Sequence, residues 1–213
     1  MIVEMITRFS RLLVIALALI IFIVPMSAQA APTNEAPIYP NFVPNNNPEF
    51  SISGTSSISA SPVMHVGDVL YSSKTFGGST QIVGHVGIVG PDYLIYHVTP
   101  GANGGIGDTL ETYMNRHGAG ETIQVYKYKN ASGENAAAWA KYNYSYAKSY
   151  GIEFAKLSVM DPNYCSKFLW QAFFYGEGYD MTGKSLNPST TTIIYPSSFT
   201  GSVYFYYQGS FTV

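Results

Sequence analysis

The chain has 213 residues, of which 11% are charged and 15% are aromatic, and its formal net charge is −2. Its 18 tyrosines outnumber its 11 lysines and arginines combined. This composition excludes the clustered basic surface that binding to nucleic acid requires, while the length is sufficient for one domain with a hydrophobic core.

The N-terminus has the pattern of a secretory signal peptide. Arg8 and Arg11 precede an apolar run at residues 12–24, and a small-residue cleavage motif ends at Ala30. The run is shorter than the roughly 20 residues that a membrane span needs. We therefore expect residues 1–30 to be a signal peptide and the mature protein to be secreted or associated with the cell envelope, without a stable membrane span. An uncleaved anchor is the alternative.

The segment after the signal peptide differs in composition from the rest of the chain. Residues 31–62 are rich in Pro, Asn and Ser and lack apolar periodicity. This composition predicts a flexible lead-in, with an extended arm lying on the domain as the alternative. The folded domain is expected to occupy residues 63–213.

A β-hairpin is predicted around Pro91. Residues 81–89 and 93–98 have strand patterns, and Pro91 lies in the turn that joins them. His85 and His97 are equally distant from Pro91, so an antiparallel pairing places them opposite each other, with Cβ atoms roughly 5 Å apart. A shift of one residue would separate them. The alternative is two half-buried strand histidines with no chemical role.

The remaining segments predict a mixture of strands and helices. Strand patterns occur at residues 69–71, 122–128 and 203–207, a helical pattern covers residues 132–149, and residues 108–113 form a short connection that is helical or extended. We therefore expect an α+β domain, with helices packed against a largely antiparallel sheet.

Cys165 is the single cysteine, and it begins a helical pattern. Apolar residues follow at the spacing of one helix face: Phe168, Leu169, Ala172 and Phe173. Asp161 or Asn163 is the expected N-cap. A thiol in the first turn is close to the positive end of the helix dipole, which favours the thiolate. The alternative is a small buried side chain in the core.

A single cysteine has further consequences. It excludes an intramolecular disulfide, and a free thiol in an exported protein is either buried and inert or retained for its reactivity. The four histidines and the cysteine show no zinc-ligand spacing. We expect neither a metal nor an organic cofactor, and we assign no function to His65 or His117.

Four motifs together resemble a known superfamily. The segment Gly67–Tyr71 resembles the opening strand of NlpC-type cell-wall hydrolases. Gly84–Val89 resembles the histidine strand of the circularly permuted branch, Tyr164–Trp170 resembles its cysteine helix, and Ile194–Phe199 resembles its closing motif. The chain is thus similar, over residues 63–202, to the YiiX-type permuted papain-like amidases. Lecithin retinol acyltransferase and its relatives share the same order of histidine before cysteine.

The resemblance implies a circularly permuted papain-like (NlpC-like) fold and a catalytic set. Cys165 matches the nucleophile, His85 the base and His97 the third group, which orients the base. YiiX-type proteins more often have a carboxylate at the third position, whereas the acyltransferase branch has a histidine. An imidazole there stabilises the protonated base less than a carboxylate does.

Two further features follow from the resemblance. Backbone N–H groups at the start of the Cys165 helix would hold the oxyanion, and Tyr71 and Tyr164 are candidate side-chain donors by position. Lys167 replaces the Glu of the common motif and is expected to point away from the site.

These observations lead to a main hypothesis and two alternatives. The main hypothesis is a secreted cysteine hydrolase that cleaves amide bonds, in cell-wall peptides, through a Cys165 thioester. A thiol acyltransferase or lipid esterase with the same chemistry is the first alternative, so the expected partner is a peptide amide or an acyl substrate. A non-catalytic module that binds peptide or glycan on this scaffold is the second alternative.

Overall fold

The structure is a computed structural model that describes residues 63–74 and 84–213. The predicted signal peptide at residues 1–30 and the predicted lead-in at residues 31–62 lie outside the described residues. Within the described ranges, every helix is too short or too polar to cross a bilayer.

The described chain alternates strands and helices. The strands are β1 (Val69–Ser72), β2 (His85–Val89), β3 (Ile95–Thr99), β4 (Gly104–Asp108), β5 (Thr122–Tyr128), β6 (Ala155–Lys156), β7 (Thr191–Thr192) and β8 (Phe205–Thr212). The α-helices are α1 (Leu110–His117), α2 (Glu134–Asn143), α3 (Cys165–Glu177) and α4 (Ser197–Thr200). Short 3₁₀ turns follow β3 and α2, at Pro100–Ala102 and Tyr144–Tyr146.

Six strands form one antiparallel sheet in the order β4-β3-β2-β1-β5-β8, and β6 and β7 form a separate two-stranded ribbon. The predicted α+β architecture, with helices against an antiparallel sheet, is therefore confirmed.

The sheet carries a hydrophobic core on each face. The α2/α3 face receives Val86, Ile88, Tyr96 and Val98, which pack with the apolar side chains of α2 and α3. The α1 face receives Leu70, Val89, Ile95, Ile123 and Val125, which pack with Leu110 and Tyr113 of α1. Because β2 and β3 are covered on both faces, all of their residues are buried instead of alternating with exposed ones.

The predicted Cys165 helix is confirmed in position and in its buried face. Helix α3 begins at Cys165, and each of its residues from Cys165 to Phe173 is buried. It ends at Gly178, whose φ of 77° is in the left-handed region that favours glycine. The expected N-cap is wrong, because Tyr164 occupies that position without a side-chain capping bond. The carbonyl oxygen of the Asn163 side chain instead accepts from the Tyr164 N–H at 2.9 Å.

Strand β4 is the element that the sequence pattern missed. Its glycines are required by close packing, because a Cβ on Gly105 would lie 2.0 Å from the carbonyl oxygen of Tyr144. The segment 108–113 is the end of this strand followed by the first turn of α1. Thr109 caps that helix by accepting from the Thr112 N–H.

The register of the predicted hairpin is wrong by two residues. The structure pairs Ile88 with Tyr96 and Val89 with Ile95, so the hairpin is centred on Asp92 and not on Pro91. The difference arises in the turn, where Tyr93 has a φ of 61°. A two-residue shift conserves the face to which each side chain points, so His85 and His97 remain on one face although they are diagonal neighbours.

Candidate functional site

The Cys165 thiol is buried against the edge of strand β2. It is the first residue of α3 and is 3% exposed. The backbone N–H groups of Val86 and Ser166 donate to its sulfur. Because Val86 directly follows His85, the end of α3 that carries the thiol lies beside the start of the histidine strand.

The position of the helix start is held by the segment before α4. The Ser166 hydroxyl donates to the carbonyl oxygen of Ile194 at 2.7 Å, and the Ile194 N–H donates to the Tyr164 hydroxyl at 3.0 Å. Pro196 borders Gly84 just before the histidine strand, since a Cβ on that glycine would lie 3.5 Å from the Pro196 Cβ. The predicted closing motif therefore packs between the cysteine helix and the histidine strand.

Burial, and not the helix dipole, dominates the ionisation of the thiol. Loss of solvent raises the pKa of Cys165 to about 11, although the hydrogen bonds from Val86 and Ser166 oppose this shift. The expectation that the helix start would favour a resting thiolate is thus not met. At neutral pH the thiol keeps its proton until a base removes it.

His85 and His97 are in direct contact on the α1 face. The Nε2 atom of His85 lies 2.8 Å from Nδ1 of His97, and the two side chains are 1% and 0% exposed. Burial lowers the pKa of His85 well below its usual value, and the nearby His97, His117 and Arg116 lower it further. Burial also lowers the pKa of His97, partly offset by Asp108. Both rings are therefore neutral at neutral pH.

Asp108 extends this contact into a chain of three side chains. Its Oδ2 atom lies 2.9 Å from Nε2 of His97, and the guanidinium of Arg116 on α1 donates to both carboxylate oxygens. Burial opposes ionisation of Asp108, but the hydrogen bonds from His97 and Arg116 outweigh it and lower its pKa to about 2. A buried carboxylate thus stands behind the second histidine.

The ionised carboxylate determines the tautomer of both rings. Asp108 accepts a hydrogen bond, so Nε2 of His97 carries the proton of that ring. Nδ1 of His97 then has a free electron pair and accepts from the Nε2–H of His85. Nδ1 of His85 is left without a proton. It is therefore the atom of this series that can accept one.

Helix α1 closes the α1 face over the two histidines. The ring centroid of Tyr113 lies 5.1 Å from that of His97 and 6.0 Å from that of His85. The His117 ring lies 5.6 Å from the His85 ring. The close packing of α1 requires a glycine at position 87, because a Cβ there would lie 3.2 Å from the Tyr113 ring and 2.8 Å from Ile95.

The structure brings His85 and His97 together, places Cys165 beside the residue that follows His85, and adds two residues that the sequence did not indicate. Cys165 adjoins Val86, while His85 contacts His97. Asp108 and Arg116 were missed because strand β4, which brings Asp108 beside His97, was not predicted. Asp108 and Arg116 are eight residues apart, on either side of a helix start, and this spacing occurs too often in sequences to predict an ion pair.

The other residues singled out in the sequence have structural contacts. Tyr164 is fully buried and accepts from Ile194, and Tyr71 is half-buried on the α2/α3 face. Lys167 is also buried, and its ammonium donates to the carbonyl oxygen of Pro162 at 3.0 Å. His65 lies in a loop where its backbone N–H donates to Asp68 at 2.8 Å. In residues 63–74 and 84–213, no cluster of three or more His, Cys, Asp or Glu side chains is arranged to hold a metal ion.

Comparisons with known proteins identify a family. Residues 13–204 match the family model described as "Lipoprotein N-acylation protein LnsA-like". No curated protein matches the chain. Among solved structures, the chain is similar to the metalloprotein YiiX from Escherichia coli O157:H7, with a TM-score of 0.44 and 14% identity, covering 70% of this chain and 98% of that one.

Proposed function

This chain belongs to the LnsA-like family of lipoprotein N-acylation proteins, and we propose that it is a thiol acyltransferase that carries an acyl group as a Cys165 thioester and transfers it to an amine. The observation that carries the proposal is the hydrogen bond from Val86 to the Cys165 sulfur, because it holds the thiol beside the strand that begins with His85. The family description supports the N-terminal amine of a lipoprotein as acceptor and an ester of a fatty acid as donor.

Each residue of the site has a separate role in this proposal. Cys165 is the nucleophile, and Nδ1 of His85 is the base. His97 orients His85 through its Nδ1 atom, and Asp108 holds His97 in the required tautomer. Arg116 positions the carboxylate. The weakness of an imidazole as third group is compensated by the carboxylate behind it, whose negative charge stabilises a proton on the histidine pair.

In the first half-reaction the acyl group moves from the donor oxygen to sulfur. The Cys165 thiol attacks the ester carbonyl while Nδ1 of His85 takes its proton, which forms a tetrahedral oxyanion. The carbon–oxygen bond to the alcohol then breaks, and His85 returns the proton to the departing alkoxide. The products are the alcohol and a Cys165 thioester. Because burial disfavours a resting thiolate, proton removal accompanies the attack and does not precede it.

In the second half-reaction the acyl group moves from sulfur to nitrogen. The neutral acceptor amine attacks the thioester carbonyl and gives a proton to His85. The carbon–sulfur bond breaks, the thiolate regains that proton, and an amide is released. The same two histidines thus serve both half-reactions without a net change in protonation.

The start of α3 supplies the groups that stabilise the oxyanion. Tyr164 caps this helix without a side-chain hydrogen bond, so no side chain competes for the first N–H groups of the helix, of which that of Ser166 contacts the resting sulfur. The positive end of the helix dipole adds to their effect. Tyr71 and Tyr164 stay the side-chain candidates, since the Tyr164 hydroxyl accepts from the Ile194 N–H and keeps its own proton to donate.

Burial of the site favours transfer over hydrolysis. Cys165, His85 and His97 are each no more than 3% exposed, so water has little access to a thioester formed there. A hydrolase acting on peptide amides, including those of cell walls, would use the same thioester with water as the acceptor. The family description favours the acyl transfer.

We extend the proposal to the fold type, the domain organisation and the location of the protein. The order of histidine strand before cysteine helix supports a permuted papain-like arrangement. We propose that residues 1–30 are a signal peptide, residues 31–62 a lead-in and residues 63–213 the catalytic domain. The reaction would then take place outside the cytoplasm, where lipoproteins are exposed at the cell envelope.

The experiment that tests the proposed function follows the acyl group by intact-mass spectrometry. The protein is incubated with p-nitrophenyl decanoate, and we expect an adduct of one acyl group that maps to Cys165 and is removed by neutral hydroxylamine. A peptide with a free N-terminal amine is then added, and the acyl group is expected to move to that peptide.

Two matched controls make this test decisive. Cys165→Ser should form no hydroxylamine-sensitive adduct, and the same peptide with an acetylated N-terminus should accept no acyl group. Release of free decanoic acid without acylated peptide would contradict acyl transfer and indicate the hydrolase. Absence of any adduct with active controls would contradict both.

A further inference from the structure

Three tyrosines line up across neighbouring strands on the α2/α3 face. The ring of Tyr71 on β1 lies 6.5 Å from that of Tyr126 on β5, and the Tyr126 ring lies 5.8 Å from that of Tyr207 on β8. Tyr126 and Tyr207 are also direct partners in the sheet register. We call these three residues the tyrosine track.

The tyrosine track lies where the helices leave this face of the sheet open. Helices α2 and α3 pack over β2 and β3. Further along β5, Tyr128 is buried beneath Phe173 and Phe205. In contrast, Tyr71 and Tyr126 are half-buried and Tyr207 is 53% exposed. The track is therefore a partly open aromatic surface that continues the core outward.

The inner end of the track adjoins the thiol. Tyr71 pairs with Val86 across β1 and β2, and the Val86 N–H is the donor to the Cys165 sulfur. The Tyr71 ring also lies 3.2 Å from the position that a Cβ on Gly84 would take, directly before His85. The track thus begins one strand away from the reacting sulfur and ends at the surface of β8.

We infer that the tyrosine track binds the hydrocarbon chain of the acyl donor and so selects long-chain over short-chain esters; this rests on the proposed function. A chain attached to a carbonyl at Cys165 can leave the buried site along the three rings. Aromatic faces give a large apolar contact area, and a tyrosine loses little side-chain freedom on binding because it has only two rotatable side-chain bonds.

The polar ends of the rings are compatible with this role. The Tyr126 hydroxyl donates to the side-chain oxygen of Gln124 at 2.8 Å, which satisfies the hydroxyl. The exposed edge of Tyr207 leaves the outer end of the track open to solvent.

The experiment compares acylation of Cys165 by p-nitrophenyl decanoate and by p-nitrophenyl acetate in the full-length protein. For Tyr207→Ser we expect kcat/KM with decanoate to fall about fivefold to tenfold, because apolar contact with the chain is lost, while kcat/KM with acetate changes by less than about twofold.

Tyr206→Ser is the matched control. Tyr206 is the neighbouring residue on β8, is 45% exposed and points to the other face of the strand. It should leave both rates unchanged. Tyr126→Phe retains the ring and removes only the hydroxyl, so it should retain the preference for decanoate.

The outcomes separate this inference from the proposed function. Equal loss with both esters in Tyr207→Ser, or no change with either, would overturn the track as a chain-binding surface while the thioester chemistry stands. Binding of the fluorescent fatty acid pyrenedecanoic acid to Cys165→Ala provides a measurement that needs no acylation. Weaker binding by about fivefold or more after Tyr207→Ser supports the track even where the chemistry fails, and unchanged binding overturns it.

Discussion

The Nε2 atom of His85 lies 2.8 Å from the Nδ1 atom of His97, in a contact buried between the sheet and α1. In this hydrogen bond His85 is the donor and His97 the acceptor, because Asp108 keeps the N–H proton of the neutral His97 ring on Nε2. This direction of the hydrogen bond leaves Nδ1 of His85 as the acceptor for the thiol proton. The following predictions test that arrangement and the packing on which it depends.

Asp108→Asn is expected to slow acylation of Cys165 by decanoate about 10- to 1000-fold, which is less than the effect of the corresponding change next to the base of a serine protease triad. The amide removes the charge that stabilises a protonated histidine pair, and it allows the wrong tautomer of His97. The rate is followed by release of p-nitrophenol, together with its pH profile, which should change in shape as well as in height.

Asp92→Asn is the control for this change. Asp92 is also paired, with the Tyr96 hydroxyl at 2.9 Å and Lys141 at 3.0 Å, but it lies at the hairpin turn. We expect it to leave the rate within about twofold, since a partly exposed ion pair contributes little. If Asp108→Asn behaved like Asp92→Asn, the carboxylate would have no part in the reaction.

Alkylation of Cys165 by iodoacetamide should rise only at alkaline pH in the folded protein. Burial raises the pKa of this thiol to about 11, whereas a thiol in the unfolded chain titrates near about 8.5. With one cysteine in the chain, the measured rate has a single source. The urea-denatured protein provides the reference, and a folded midpoint below about pH 8 would show that the resting site holds a thiolate.

The same pKa shift predicts a loss of stability at high pH. The folded thiol retains its proton up to about pH 11, whereas the unfolded thiol loses it above about pH 8.5. The free energy of unfolding therefore decreases as the pH rises through this window. Cys165→Ala should show a smaller decrease in thermal denaturation between pH 8.5 and 10.5. An identical decrease in both proteins would mean that other groups control it.

Acid is expected to destabilise the fold through its buried histidines. Burial lowers the pKa of His117 to about 4, and it also lowers those of His85 and His97. Below about pH 6.5 the histidines of the unfolded chain bind protons, whereas those of the folded chain stay neutral. The free energy of unfolding therefore decreases as the pH falls below about 6.5. His117 alone should contribute on the order of 2 kcal/mol between pH 7.5 and 5.

Denaturation in urea at the two pH values measures this effect. His117→Phe should reduce the difference in unfolding free energy between the two pH values. An unchanged pH dependence in His117→Phe would contradict the assignment.

Gly87→Ala tests the packing of α1 on the histidines. The added methyl group would lie 2.8 Å from Ile95 and 3.2 Å from the Tyr113 ring. We expect a loss of about 1–3 kcal/mol in unfolding free energy, as for other overpacked cores, and slower acylation as His97 is displaced. Gly201→Ala is the matched control, because its nearest neighbour would lie 3.9 Å away. Equal stability of the two variants would exclude close packing at Gly87.

Much of the site was predictable because its signals are local. The helix that begins at Cys165 follows from apolar spacing over eight residues, and the hairpin that contains both histidines follows from two apolar runs around a turn. The exact pairing was not predictable, because the turn adopts a left-handed backbone at Tyr93 that shifts the register. Because the register differs by two residues, His85 and His97 still lie on the same face of the sheet, and the predicted contact between them is present.

The sequence by itself determined which residue types stand at which element: a lone thiol at a helix start, and a histidine on each strand of one hairpin. Only the tertiary structure decided what these groups can do. Pairing of β4 with β3 brings Asp108 to His97, and packing of α3 against β2 brings Val86 to the thiol. Burial by the whole fold then sets the pKa values of Cys165 and the histidines. These effects depend on non-local pairing and solvent exclusion, which no short pattern in the chain encodes.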